Sequence, residues 1–533
     1  MPLPRCAARP IILWTALLLA TAHSTPAATA ATATADQAQA VERELHDWLQ
    51  AMLGTAITLP DRPVQLVPEG SDYALLIPFS ANTAITGHLA PQDDGRWLLS
   101  DVKLPSPATF TLDLPMPAPG NGRANGTEGT TTRTYQFSVA RQEITGTFDP
   151  SYKTASSLHH RFEDFQLSSS GAGFRQTTQT AHVAGQSTVT PAADGRFDIA
   201  SESTFDGYVM DNRPEGGSAA VHVTADHGHT EGQISGLASD QGPAFLRDAI
   251  GFVTEILPTL SKSGLPDLTA EQRAQLRDLV NALDGIASGL QAGYAFENLQ
   301  VQAGSIGGVA RRAHLDIGGQ APNSVLNVYL DLGVEGLSIP GLPVSPYADL
   351  VPTEIHVRPT LAGIGTKELL TLARQLLDAA DRSASDGRQD TPSPAPLFAH
   401  GGIAAGLDAV SFNLGPTRFT GHGTVTMTKP DAYDGQGQIM ATNFDALMDR
   451  AKQDPTMTQA LALLTIAKGI GRASGDQLVW DIAYENRRVL VNGVDVLAMA
   501  GAAAGNGGSH ARPSGRSSVP PPAPSPSAKP QPQ

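Results

Sequence analysis

The chain has 533 residues, of which 52 are acidic and 36 are basic, and its formal net charge is −16. This length permits a large core or two domains, while an acidic body with scattered Lys and Arg disfavours a nucleic-acid partner and adhesion to anionic lipid headgroups. The binding of lipid tails stays open, because it requires an apolar groove rather than positive charge. The single cysteine, Cys6, lies in the N-terminal signal described next, so the mature chain is expected to have no disulfide, no thiolate nucleophile and no Cys-ligated metal.

The N-terminus has the charged, apolar and small-residue order of a secretory signal peptide. Arg5 and Arg9 precede the apolar run Ile11–Ala20, and Ala20–Ala22 offers an A-x-A cleavage site. The run is about half of the roughly 20 residues that a membrane-spanning helix needs, so a cleaved signal over 1–22 is favoured over a retained anchor. In the retained-anchor alternative, the Ala- and Thr-rich low-complexity segment 23–35 would be a flexible tether. Export without disulfides favours the periplasm of a Gram-negative bacterium.

Residues 36–134 are predicted to form a helix followed by a β meander. Apolar residues at 3.6-residue spacing predict an amphipathic helix over Asp36–Leu53, which Gly54 ends. Turns rich in Gly, Pro and Asp then separate strand-like segments, which is typical of an antiparallel meander. These five segments are Val64–Pro68, Tyr73–Phe79, Ala84–Ala90, Arg96–Leu104 and Thr109–Pro115. A flexible loop is predicted over 117–132.

An internal repeat dominates the middle of the chain. FEDFQL (Phe162–Leu167) returns as FENLQV (Phe296–Val301), and VHV (Val221–Val223) returns as IHV (Ile355–Val357), each 134 positions later (162 to 296, 221 to 355). This register indicates a duplicated β unit, with copy one in 135–265 and a helix and copy two in 266–381. The predicted helices of this region are Pro243–Leu257, Thr269–Gln291 and Thr366–Ala380, the second with a Thr269/Gln272 capping box.

A third unit of strands and helices is predicted in 397–504, after a polar linker over 382–396. It contains the apolar helix Pro455–Ile470 and a strand pair, Gln477–Tyr484 and Arg488–Val496, in which Asn492-Gly493 signals a tight turn. The tail 505–533 is composed of Gly, Ser and Pro without core-forming residues, and we expect it to be disordered.

These patterns predict an α+β fold that is mostly β. Stacked copies of one β unit bury faces that neither copy buries alone, so they extend a continuous sheet rather than form separate domains. Period-two alternation, as in Ser324–Ile339, indicates a sheet with one wet face. We therefore expect a long, curved, antiparallel sheet built from the duplicated unit, with amphipathic helices packed on one face.

Two segments resemble known families. A Gly-rich break at Gly469 and Gly471, a strand carrying Trp480 and a strand ending in Val491–Gly493 resemble the C-terminal pattern of the YdgA-like proteobacterial envelope proteins. The segment Val64–Phe79 is similar to a related alphaproteobacterial family of unknown function. The resemblance covers roughly the last 70 residues and this short N-terminal piece, and it implies export and a repeated β architecture. It implies no catalytic residue, because those families have none assigned.

The segment HVTADHGH, His222–His229, is the best metal-like pattern in the chain. On a strand, His227 and His229 would face the same way, and Asp226 would orient one of them. The repeat argues against this site, because His222 matches His356, whose following residues Val357–Pro359 contain no ligand. We favour the alternative that Asp226–His229 is a solvated turn at a strand end.

Glu163 and Glu297 are matching acids of the two copies and invite comparison with a glycosidase pair, which needs two carboxyls about 5 to 10 Å apart. Residues related by a repeat usually occupy equivalent places in different units, so outward strand positions are favoured. The sequence contains no Gly-x-Ser-x-Gly elbow, P-loop, HExxH or GxGxxG followed by a helix. No catalytic residue and no cofactor is predicted.

The sequence thus favours a non-enzymatic periplasmic envelope protein whose β scaffold binds an apolar ligand, such as lipid, or an envelope partner. The alternative is a periplasmic hydrolase of an envelope polymer, with a metal at Asp226–His229. We expect no nucleic-acid partner and no permanent transmembrane helix after signal cleavage. Neither the identity of the ligand nor the oligomeric state follows from the sequence.

Overall fold

The computed structural model describes residues 34–53, 64–80, 83–116, 129–149, 154–171, 174–214, 219–238, 268–340, 350–386, 392–430, 432–485 and 487–496, with single positions in 242–252 and at 498. The predicted signal peptide, most of the 23–35 segment and of the 117–132 loop, most of the helix Pro243–Leu257 and the 505–533 tail lie outside these residues. Within the described ranges, no helix combines the length and apolarity needed to cross a bilayer.

The fold is mostly β, and the described part of the chain contains 22 antiparallel strands in one long sheet. The first eleven strands are β1 Gln65–Glu69, β2 Asp72–Ser80, β3 Thr83–Pro91, β4 Trp97–Lys103, β5 Ala108–Met116, β6 Gly129–Ser138, β7 Arg141–Asp149, β8 Thr154–Gly171, β9 Phe174–Pro191, β10 Arg196–Pro214 and β11 Val221–Ala238. The remaining strands are β12 Gly289–Ala303, β13 Ile306–Gln320, β14 Val325–Glu335, β15 Glu354–Gly365, β16 Ile403–Leu414, β17 Thr417–Lys429, β18 Ala432–Thr442, β19 Arg472–Ser474, β20 Gln477–Glu485, β21 Arg488–Val491 and β22 Val494–Asp495.

Within the described residues, five α-helices accompany the sheet: α1 Ala35–Leu53, α2 Ala270–Ala282, α3 Thr366–Asp386, α4 Phe444–Gln453 and α5 Thr458–Ile470. The capping box predicted for α2 is present, since Thr269 and Gln272 each accept a hydrogen bond from the other's backbone N–H. The prediction that this helix reaches Gln291 is wrong. Gly285 adopts φ +73° after the helix, and Gln291 already lies in β12.

The helix α1 packs on the first strands as its amphipathic pattern predicts. Val41 and Leu45 are buried in one cluster with Leu66 and Tyr73. The Tyr73 hydroxyl accepts a hydrogen bond from the Thr34 N–H at 2.8 Å, which ties the start of the helix to β2. This contact orders the N-terminal end of the described chain.

The sheet forks at β8. Strands β1 to β4 pair in sequence, and β4 then pairs with β7, whereas β5 pairs with β6. The predicted five-strand meander is therefore wrong at its last step. One edge of β8 is shared, because Glu163 and earlier residues pair with β7 while Gln166 and later residues pair with β6. From β8 onwards, consecutive strands pair through to β18, which pairs with β20.

Asp164 lies between the two branches and has a left-handed backbone, with φ +51°. An asparagine or aspartate tolerates this region better than most residues with a Cβ. The normal alternation of side chains shifts by one at this residue, so that Phe162 and Phe165 are both buried. Gly207 in β10 and Asn298 in β12 are left-handed as well, and the register places them in the same transverse row as Asp164.

β20 and β21 pair antiparallel, as the predicted strand pair requires. The second predicted strand, Arg488–Val496, is broken into β21 and β22 at Asn492 and Gly493, which are both left-handed. The Asn492 side chain joins three elements. Its Nδ2 donates to the carbonyls of Ile470 at 2.7 Å and Val479 at 3.0 Å, and its Oδ1 accepts from the Asp481 N–H at 2.9 Å.

We expect Asn492→Ala to lower the free energy of unfolding by about 2 to 4 kcal/mol, since it removes three hydrogen bonds worth about 1 kcal/mol each and strains a left-handed residue. Urea denaturation of the purified protein measures the change. Asn492→Gly is the control that keeps the backbone conformation. We expect it to lower the free energy of unfolding only by the contribution of the hydrogen bonds. A glycine variant as stable as the wild type would contradict the role of the side chain.

Candidate functional site

Asp226, His227 and His229 lie inside β11, not at a strand end. The predicted solvated turn is therefore wrong, because the segment pairs with β10 and β12 on both sides through this region. Each of the three side chains has a different partner. Asp226 accepts from Asn298 Nδ2 at 2.8 Å, His227 Nδ1 lies 2.6 Å from Asp206 Oδ1, and His229 Nε2 lies 3.9 Å from Glu231 Oε2.

His227 is exposed, and its hydrogen bond with Asp206 raises the pKa of its imidazole above the usual value. His222 is also drawn to an acid of β10, with its Nδ1 2.9 Å from Asp211 Oδ1. The structure thus distributes these side chains among separate cross-strand pairs. It does not bring Asp226, His227 and His229 to a common point.

Glu163 and Glu297 lie on different strands, four strand positions apart. At about 4.8 Å per strand, roughly 19 Å of sheet separates them, which is too far for two carboxyls that act on one sugar bond. Glu163 pairs with Arg141 at 3.5 Å, and Glu297 pairs with Arg312 at 3.4 Å. Both acids are outward strand residues, as favoured from the sequence.

A different cluster forms where β13, β14 and β15 run side by side. His356 Nε2 lies 2.7 Å from Asp331 Oδ1, and His314 Nε2 lies 3.4 Å from the same oxygen. The two imidazole rings have centroids 5.9 Å apart. One potential ligand atom from each residue lies within 4.8 Å of the others, the only such group of three among the residues that the structure describes. We call this set the His314–Asp331–His356 cluster.

Strand register builds this cluster. Gly333 is the cross-strand partner of both His314 and His356, so the histidines lie in one row on one face of the sheet. A Cβ at Gly333 would lie 1.9 Å from His314 Cε1. Glycine is therefore required for the His314 ring to lie over this strand, beside Asp331.

The surroundings of Asp331 orient its carboxylate. Its side chain is only 15 % exposed, and Arg358 Nη1 lies 3.6 Å from Asp331 Oδ2, the oxygen that the histidines do not contact. The Arg358 guanidinium itself lies over the Tyr329 ring, 4.8 Å from its centroid. Burial acts to raise the pKa of the Asp331 carboxyl, but the hydrogen bonds with His356 and His314 outweigh it and hold the pKa below its usual range.

The amino-acid sequence does not reveal this cluster, because the residues immediately after His356 along the chain include no ligand. The partners of His356 come from neighbouring strands, 25 and 42 residues earlier (356 to 331 and 314). Polar residues alternate with apolar ones around all three positions, and this pattern correctly places the three residues on the polar side of the sheet. Only the register brings them together.

The opposite face of the same strands is apolar. Cross-strand partners share a face, so the register defines rows of side chains that cross the sheet. One row consists of Tyr294, Leu315, Leu332, Val357, Val410, Gly421, Ile439 and Trp480. A second row consists of Phe296, Ala313, Val334, Ile355, Phe412, Phe419, Ala441 and Leu478. We call these two rows, with Leu290, Ile317 and Val425, the apolar face.

Part of the apolar face is open to solvent. Leu290 is 59 % exposed and Ile317 is 53 % exposed, and Leu315, Leu332 and Val425 are exposed as well. At the β20 end, helices α4 and α5 cover the face, where the Phe444 and Trp480 rings meet edge to face at 5.5 Å. The uncovered aliphatic surface is a candidate binding surface.

Comparison with known proteins identifies one family. The family described as "Uncharacterized protein conserved in bacteria (DUF2125)" matches residues 349–499, which include β15 to β22. No curated protein and no solved structure matches the chain. The match supports the resemblance of the C-terminal segment to an uncharacterised bacterial family, whereas the YdgA-like families stay a prediction.

Proposed function

We propose that this protein is an exported, periplasmic envelope scaffold that holds lipid acyl chains along the apolar face. The observation that carries the proposal is the sidedness of strands β12 to β18. Both rows of the apolar face are free of charged side chains, while the intervening positions carry residues such as Arg312, Asp331 and His356. Exposed aliphatic surface of this extent is unusual in a protein with no bound partner.

The chemistry of the face favours a hydrocarbon over a protein partner. Interfaces between proteins carry hydrogen-bonding groups and arginines that a partner must satisfy. In the two rows, only Tyr294 and Trp480 have a polar side-chain atom, and the Trp480 Nε1 already donates to the Ala467 carbonyl at 2.8 Å. An acyl chain requires no hydrogen bonds, and its burial on aliphatic side chains is favourable.

The dimensions also suit an acyl chain. Eight strands at about 4.8 Å give a face roughly 34 Å long across the sheet, of which helices α4 and α5 cover the β20 end. A lipid tail spans one leaflet, about half of the roughly 30 Å hydrocarbon core of a bilayer. The acidic chain disfavours anionic headgroups, so the tails rather than the headgroup would supply the affinity.

We also propose that β8–β11 and β12–β15 are copies of one duplicated unit. Asp164 and Asn298, which are equivalent in the repeat, share the left-handed conformation, as do Asp194 and Asn323 in the turns before β10 and β14. By strand register, Tyr73, Phe162 and Trp480 lie on the same face of the sheet. Helix α1 packs in the cluster that contains Tyr73, and helices α4 and α5 pack in the cluster that contains Trp480. These observations support helices packed on one side of a repeated sheet.

Lipid binding is tested with paired double variants. We expect the wild-type protein to carry lipids that mass spectrometry detects in an organic extract, and to bind a fluorescent fatty acid. Ile317→Glu with Val425→Glu adds two carboxylates to the apolar face, and we expect at least tenfold weaker binding because an ionised carboxylate beside a hydrocarbon chain is unfavourable. Both positions are exposed, so the fold should tolerate the change.

The matched control is Gln320→Glu with Thr424→Glu, which adds the same charge to the same two strands on the opposite face. We expect its affinity for the fatty acid to stay within about twofold of the wild type, since an exposed charge on the wet face costs little. Wild-type protein without lipid and without fatty-acid binding would refute the proposal. Equal loss in both double variants would refute the assignment to the apolar face.

A further inference from the structure

We propose that the His314–Asp331–His356 cluster binds a divalent transition metal of the zinc class. The three residues lie on the polar side of the sheet, opposite the apolar face. The lipid proposal uses Asp331 and His356 only as polar residues on the side opposite the apolar face, so the two proposals can fail separately.

The ligand set and its spacing suit such an ion. Two imidazoles and one carboxylate are a common three-residue zinc set, with ligand distances of about 2.0 to 2.2 Å and a fourth position left for water or substrate. Two ligands of a tetrahedral ion at such distances lie about 3.3 to 3.5 Å apart. The 3.4 Å between His314 Nε2 and Asp331 Oδ1 already matches, and the 2.7 Å between His356 Nε2 and the same oxygen requires a small rotation of one side chain.

The cluster is also positioned before any ion binds. All three ligands project from paired strands, which hold them more rigidly than loops do. Gly333 leaves the space that the His314 ring occupies. Arg358 faces the second oxygen of Asp331, and this contact leaves Oδ1 directed at the histidines.

The site is accessible to solvent. The side chains of His314 and His356 are 34 % and 37 % exposed, so an ion can enter and retain a water molecule as its fourth ligand. Asp226, His227 and His229 lack this convergence, because each has a separate partner. Substitution of His314 or His356 should therefore weaken metal binding, whereas substitution of His227 and His229 should not.

Isothermal titration calorimetry with Zn²⁺ and Ni²⁺ on the full-length protein, purified without a polyhistidine tag, tests the site. We expect one ion per chain for the wild type. His314→Ala and His356→Ala should each weaken Zn²⁺ binding at least tenfold, while His227→Ala with His229→Ala should bind as the wild type does. Thermal unfolding of each variant shows whether the fold is retained.

Gly333→Ala supplies a second test that keeps all three ligand residues in the sequence. Its Cβ would displace the His314 ring, and we expect a severalfold loss of Zn²⁺ affinity in a folded protein. The proposal is overturned if the wild type binds no Zn²⁺ at micromolar concentrations, if the His314 and His356 variants bind as tightly as the wild type, or if the loss follows His227 and His229 instead.

Discussion

Phe162→Ala is expected to lower the free energy of unfolding by about 3 to 5 kcal/mol, the usual range for removal of a buried phenylalanine. Phe162 is 2 % exposed and belongs to the cluster that joins both branches of the fork. Its ring lies 5.4 Å from that of His160 and 6.3 Å from that of Phe165. The cavity left by its removal would be bounded by both branches, and urea denaturation would report the loss.

Two control variants test whether this loss of stability is specific to Phe162, rather than shared by its repeat equivalent or by a neighbouring surface residue. Phe296 occupies the matching place 134 residues later (162 to 296) but is only half-buried, so Phe296→Ala should cost less, about 1 to 2 kcal/mol. Glu163→Ala removes a surface ion pair next to Phe162 and should cost less than about 1 kcal/mol. The interpretation fails if Phe296→Ala equals Phe162→Ala or if Phe162→Ala costs no more than Glu163→Ala.

The second large effect is a loss of stability in mild acid caused by His160. This side chain is 4 % exposed, and among the described residues neither ring nitrogen has a hydrogen-bond partner. Burial, aided by the neighbouring His159, lowers the pKa of the His160 imidazole from 6.5 to about 4. The unfolded chain therefore binds a proton between these values that the folded protein does not.

Stability should fall as the pH decreases from 6.5 to about 4, and the part due to His160 should level off below that. A shift of this size corresponds to a loss of about 3 kcal/mol. His160→Leu should remove this part of the pH dependence, whereas replacement of the exposed His182 by Gln should leave it unchanged. Urea midpoints measured across this pH range decide the matter, and an unchanged slope in His160→Leu would contradict the assignment.

Local patterns predicted the elements well. The five N-terminal strands and α1 begin and end within one or two residues of their predicted bounds, because turn residues and periodicity are local signals. Pairing was harder to predict. β5 pairs with β6 rather than with β4, because the sheet forks at β8. The fork coincides with the left-handed backbone of Asp164, and no pattern of apolar residues reveals that conformation.

For the candidate sites, too, local patterns predict the side of a strand on which a residue lies but not its neighbours on other strands. Alternation correctly separates a polar side of the strands from an apolar side, and the residues of the His314–Asp331–His356 cluster lie on the polar side. The expected single wet face does not hold for β12 to β18, because Leu290 and Ile317 on the apolar side are exposed as well. Their proximity depends on the register of three strands, and a shift by one residue would move each side chain to the other face. Alternation also identifies the apolar side of a strand, but whether another element covers that side is a tertiary property.

The fork leaves the sheet with more than two free edges. Among the described strands, β1, β5, β19 and β22 each pair on one side only. Pro68 in β1 and Pro115 in β5 have no N–H to offer an added strand, and β19 and β22 are three and two residues long. Each edge is thus a poor template for strand addition by a second chain, so that this long sheet can end without growing into fibres.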